Sequence, residues 1–242
     1  MNLSKQYGGN RSGKIGGSRL RRSLVELSRH TSRDTIVIAS ALTARKVIEN
    51  RSELNISSSD VDGLSAVVQE LYGPHLNLVL HGAGGDLDAA AEVVSLLRGR
   101  FELIRALVPN CALSAMALVA CACDAVMMPE TAVIGALDDD HHKPVSANEA
   151  RGWLFRNCVH PDRPKRVEAA GRVFAASNNG PRAALSASLA KERGLPVNVV
   201  PDQSALGRGL EEIWQSIKNT MREESLMKLI DGQKGPIYSV EG

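Results

Sequence analysis

Between Asn77 and Leu137 the chain twice passes from an apolar strand through a turn into a helix, and this repetition constrains the fold more than any other feature. The first unit is Asn77-Leu78-Val79-Leu80-His81, then Gly82-Ala83-Gly84-Gly85. Asp86 follows, ahead of Leu87, Ala90, Ala91, Val94 and Leu97. Those apolar residues recur at helical spacing behind an N-capping aspartate, so the segment reads as strand, tight turn and helix. The second unit runs from Phe101 to Val108 as a strand, and Pro109 to Met116 opens a helix of small residues. Two successive units of this kind place a glycine turn and Ser114 at the same edge of a parallel sheet.

The flanking sequence supports that frame. Thr35–Ala39 is a strand, and Ser59 and Asp60 precede Val61, Leu64, Val67, Val68 and Leu71 as the cap and apolar face of a helix. From Thr35 to Leu137 strand and helix alternate, which predicts an α/β fold with a parallel sheet. Beyond the polar stretch Asp138–Pro144 the pattern turns helical, near Ala147–Arg156, Arg163–Ser177, Arg182–Arg193 and Leu206–Met221. Short strands are expected at Pro196–Val200 and Ile237–Val240.

Composition narrows the function classes. The net charge is only +2 and aromatic residues make up 3% of the chain, which argues against a nucleic-acid partner for the chain as a whole. Residues 1–22 carry six basic residues and no acidic ones, and read as a disordered basic arm in front of a single domain over 23–242. Such an arm is a place where nucleic acid would bind, although most such arms are simply solvated. The four cysteines lack metal-ligand spacing and read as buried free thiols of a reducing compartment; no metal or cofactor is expected. The apolar run Cys111–Met128 is interrupted too soon to span a bilayer, which needs about 20 residues, and the N-terminus lacks a signal-peptide core. A cytoplasmic location is expected.

The turn Gly82–Gly85 has two readings. It cradles a phosphate at a helix N-terminus, or it is a tight turn in which glycine permits positive φ. Leu87 occupies the place of the last glycine in a dinucleotide fingerprint, and no Gly-Lys-Ser/Thr follows. Ser114 likewise reads as a helix cap or as a nucleophile.

Three groups of residues resemble the serine dehydrogenase proteinase family, a relative of Clp-type peptidases and signal-peptide peptidases within the ClpP/crotonase fold. They are His81–Ala90, then Val108-Pro109 with Ala112–Ala115, then Val133–Asp138. The resemblance implies a ClpP/crotonase-type spiral of βαβ units with a helical C-terminal part, assembling as a homo-oligomer. It implies a serine peptidase acting on polypeptide through Ser114, with the backbone N–H groups of Gly85 and Ala115 as the oxyanion hole. The base implied is a lysine, Lys165, with Lys143, His141 and His142 as competitors. Ala83, Met116 and Asp139 stand where that family typically has proline, glycine and proline. A non-catalytic binding or assembly module is therefore the alternative, and crotonase-like acyl-CoA chemistry ranks behind both.

Overall fold

The computed structural model describes residues 15–42, 54–136, 145–175, 184–234 and 237–241. The basic residues 1–14 and the segment 137–144, with His141, His142, Lys143 and Asp139, lie outside them. The architecture is mixed α/β, as the alternation predicts. Strands β1 (Asp34–Ser40), β2 (His75–His81), β3 (Leu103–Leu107), β5 (Ala125–Met128) and β8 (Val197–Val199) lie side by side in parallel. At the β1 edge, β9 (Leu226–Gly232) and β10 (Tyr238–Glu241) extend the sheet antiparallel, giving seven strands. A second sheet is built from β4 (Cys111–Leu113), β6 (Val133–Gly135) and β7 (Leu185–Ser186).

Both faces of the large sheet are covered, so β1 and β2 are apolar runs rather than alternating ones. Helices α2 (Ser58–Gln69), α3 (Leu87–Arg100) and α4 (Ala115–Ala122) pack with Ile36, Ile38, Leu78 and Leu80 on one face. Helices α1 (Ile15–Thr31) and α8 (Ala205–Glu223) cover Val37, Ala39, Val79 and Leu107 on the other. Helices α5 (Ala147–Asn157), α6 (Arg163–Val173) and α7 (Ala187–Glu192) complete the chain. Every residue of α4 is buried, which is why its sequence is apolar all round. At eight residues it is far too short for a membrane span, and no described helix is long and apolar enough to cross one.

Several expectations change. The arm boundary after Arg22 falls inside α1, which begins at Ile15. Leu20 is fully buried against α8, and Arg21 reaches Asp231 at 2.7 Å. The cap of α2 is Ser57 rather than Ser59. Asp60 is the reciprocal partner three residues on, accepting from the Ser57 N–H at 2.8 Å. The helix expected over Arg182–Arg193 is shorter, with β7 ahead of it. The largest omission is β9, which pairs with β1 from Ile36–Gly232 to Ser40–Lys228.

Candidate active site

The two strand–turn–helix units meet as the sequence suggests. Gly82 bridges to β4 through its N–H to the Cys111 carbonyl (3.1 Å) and its own carbonyl to the Leu113 N–H (3.0 Å). The chain then turns at Gly84, φ +105°, and Gly85, φ +149°. Gly84 presses on the start of α4. A Cβ there would lie 2.7 Å from Ala115 N and 2.8 Å from both Leu113 O and Ser114 Cβ. Gly85 presses on the other side, where a Cβ would run into the backbone of Asn55 and Ile56. Only glycine fits at either position.

The hydrogen bonds fix which amides are left. Ile56 donates to the Gly84 carbonyl (2.8 Å), and Asp86 donates to the Ile56 carbonyl (3.0 Å). Neither of these bonds uses the Gly85 N–H, which lies between them in the chain. Asp86 then caps α3, its carboxylate accepting from Asp88 N (2.9 Å) and Ala89 N (2.8 Å).

Ser114 occupies the junction between β4 and α4 with φ 52° and ψ −125°. These angles match the first central position of a type II′ turn, which glycine dominates, so a serine there is strained. Its N–H donates to the Gly135 carbonyl (2.8 Å), and its carbonyl accepts from Leu118 N (3.3 Å). The side chain makes no cap bond, and among the described residues no imidazole or ammonium is hydrogen-bonded to Ser114 Oγ. Ala115 is the first helical residue, so its N–H is an orphan donor. Met116 is fully buried, with its Cε directed under Gly82, so its bulk lies inside the core.

The structure places Lys165 at the surface of the chain. It stands on the first turn of α6 with its side chain 85% exposed, 3.7 Å from Asp162. A dyad lysine is activated by burial, and in the single chain this side chain is mostly exposed. Its neighbour Arg166 is the residue that turns inward. It donates to the carbonyls of Cys121 (3.1 Å), Cys123 and Asp124 (2.8 Å), closing the C-terminal end of α4.

A second titratable pair lies on the other face. His81 Nδ1 is 3.4 Å from Cys111 Sγ, and its ring packs against Trp214 of α8. Burial pulls the imidazole down to about 4 and pushes the thiol up to about 11. Thiol and imidazole are therefore both neutral at pH 7, and no thiolate–imidazolium nucleophile forms. The pair belongs to the core beneath α8.

His81 and Asp231 pull stability in opposite directions with pH. The His81 pKa is depressed in the fold, so its contribution is present above about 6.5 and is lost as pH falls through about 4. For Asp231, burial raises the carboxyl to about 6 despite Arg21 beside it. Its contribution is complete below the usual carboxyl range near 4 and is lost as pH rises through about 6. At roughly 1.4 kcal/mol per unit, each is worth about 3 kcal/mol, and the two nearly cancel between pH 4 and 6.5. Urea unfolding across that range is expected to show Asp231→Asn losing about 3 kcal/mol relative to wild type as pH falls. His81→Gln is expected to gain a similar amount. Parallel pH profiles for the three proteins would refute both assignments.

No family model and no curated protein matches the chain. Solved structures do. The 1510-N membrane-bound stomatin-specific protease is similar at 15% identity and TM-score 0.46, over 61% of this chain and 75% of that one. ClpP1 from Listeria monocytogenes is similar at 12% identity and TM-score 0.47, over 80% of this chain and 99% of that one. An enoyl CoA isomerase from M. smegmatis is equally so, at 14% identity and TM-score 0.47, over 80% and 88%.

Proposed function

We propose that the protein is a serine peptidase of the ClpP/crotonase type, with Ser114 as nucleophile and the N–H groups of Gly85 and Ala115 as the oxyanion hole. The observation that carries the reading is the backbone of Ser114. A non-glycine residue is held in a glycine conformation at a strand-to-helix junction, directly against a double-glycine turn. A residue that served only as a helix cap would adopt an extended conformation and bond the first turn, as Ser146 and Ser204 do. Strain kept in this way holds a hydroxyl at the mouth of the junction while the first N–H of α4 stays free to face an oxyanion.

In the acylation step the Ser114 oxygen attacks the scissile carbonyl and passes its proton to the base, and the Gly85 and Ala115 amides receive the negative charge. Collapse then breaks the C–N bond, the amine leaves with the proton from the base, and water hydrolyses the acyl-enzyme. The other candidate bases read from the sequence lie in the segment after Gly135, outside the described residues. That segment carries His141, His142 and Lys143 in sequence. Lys165→Ala is expected to leave the rate within about twofold, in keeping with an exposed lysine. Polypeptide is the substrate class, and a homo-oligomer is the expected assembly.

Hydrolysis of an unstructured polypeptide such as casein tests the reading. Activity that disappears in Ser114→Ala supports it. A folded wild type without activity points to the non-catalytic module, the alternative favoured by the absence of a described base at Ser114 Oγ. Ser114→Gly adds a stability readout. It is expected to be inactive yet more stable than wild type by about 1 kcal/mol, because glycine relieves the strain at φ 52°.

A further inference from the structure

One buried ion pair lies on the same sheet face as α4 and has no part in the chemistry above. Lys228 of β9 and Asp60 of α2 meet at 2.7 Å with both side chains almost fully buried. A buried pair is weak evidence for stability, because desolvation offsets most of the attraction. The other bonds of Lys228 are more informative. Its Nζ also donates to the Asn55 carbonyl at 3.0 Å, and Ser40 Oγ, on the neighbouring strand, donates to the Leu54 carbonyl at 2.9 Å. Lys228 and Ser40 are direct partners in the β9–β1 ladder. Next to Ser40 comes Gly82 of the glycine turn, where a Cβ would lie 3.3 Å from Ser40 Oγ.

The two tethered carbonyls belong to the residue before Ile56 and the one before that. Ile56 is the residue whose N–H holds Gly84 and whose carbonyl holds Asp86. Asp60 meanwhile accepts from the Ser57 N–H, fixing the other end of the same short segment. Residues 54–57 are therefore clamped from beneath by β9 and β1, and they in turn clamp the turn whose Gly85 amide is left over.

We propose that Lys228, with Asp60 and Ser40, is a positioning residue for the Gly84–Gly85 turn, acting through Leu54–Ile56. The lysine's ammonium supplies a charged donor to the Asn55 carbonyl, and Asp60 neutralises it so that the donor is held inside the protein. The catalytic consequence rests on the peptidase reading, whereas the structural consequence does not.

The test uses Asp60→Asn/Lys228→Met, which removes both charges together and keeps an acceptor for the Ser57 N–H. Amide exchange by NMR is expected to be about tenfold or more faster at Ile56 and Asp86 while α8 is unchanged. Fluorophosphonate labelling of Ser114 is expected to slow by about 10–100-fold, in proportion to the misplacement of one oxyanion donor. Asp60→Asn/Lys228→Gln, which restores a neutral donor, is expected to recover part of both. Ser40→Ala removes the neighbouring tether with the loss of one oxygen, and is expected to move the same two amides in the same direction. Unchanged exchange at Ile56 and Asp86 in either folded variant would overturn the proposal. If wild-type Ser114 does not label at all, the peptidase reading falls, and the exchange data alone decide the positioning role.

Discussion

Gly85→Ala is expected to cost about 4 kcal/mol and to remove Ser114 reactivity together with it. An added methyl at Gly85 overlaps the Ile56 nitrogen and would lie 2.7 Å from the Ile56 oxygen and 2.8 Å from the Asn55 carbonyl carbon. These are backbone atoms inside a bridge, so no side chain can swing aside to make room. The positive φ adds strain of its own, of order 1–3 kcal/mol for a residue other than glycine, on top of about 1–3 kcal/mol for overpacking. The easiest relief is to push the Asn55–Ile56 segment away, which breaks the bonds to Gly84 and Asp86 and turns the Gly85 amide out of place. Urea denaturation would read the stability loss, and fluorophosphonate labelling the functional one. A variant with wild-type stability would show that the turn is not held as described.

Arg166→Met is expected to destabilise by about 3–5 kcal/mol, the loss of a charged donor that serves three carbonyls at the end of a buried helix. Methionine fills much of the arginine's volume, so the cost is in unmade hydrogen bonds rather than in a cavity. The negative end of the helix dipole at Cys121–Cys123 also loses its cation. For a chain of this length that corresponds to a melting temperature about 10 °C lower or more. Lys165→Ala, one residue away, is expected to change stability by less than about 0.5 kcal/mol, because that side chain is solvated. Equal effects from the two substitutions would contradict the assignment of the inward and outward faces of α6.

What the sequence makes legible follows from local chemistry. Asp86 as the cap of α3, Ser146 as the cap of α5 and the glycine turn after β2 are all set by residues within a few positions of one another. The strand β9 is not visible in this way. Its seven residues are all buried, yet they include Lys228 and Asp231, whose charges interrupt any apolar run. Their charges are answered by Asp60 and Arg21, 168 and 210 positions away, and no local pattern announces such partners. The same limit explains Lys165. Adjacent basic residues at a helix start look alike in sequence, and only the carbonyl cluster at the end of α4 selects Arg166 as the buried one. At Ser114 the residue type and its place at a helix start are readable, but the φ of 52° is not. It is imposed by β4 pairing with β6 while Gly84 closes against Ala115.

The central claim is that Ser114 is an activated nucleophile. The most direct measurement is labelling of the purified protein with a fluorophosphonate, wild type beside Ser114→Ala, with the modified peptide located by mass spectrometry. A single adduct on Ser114 is expected in the wild type and none in the folded variant. An adduct elsewhere that persists in Ser114→Ala, or no adduct on a folded wild type, would contradict it.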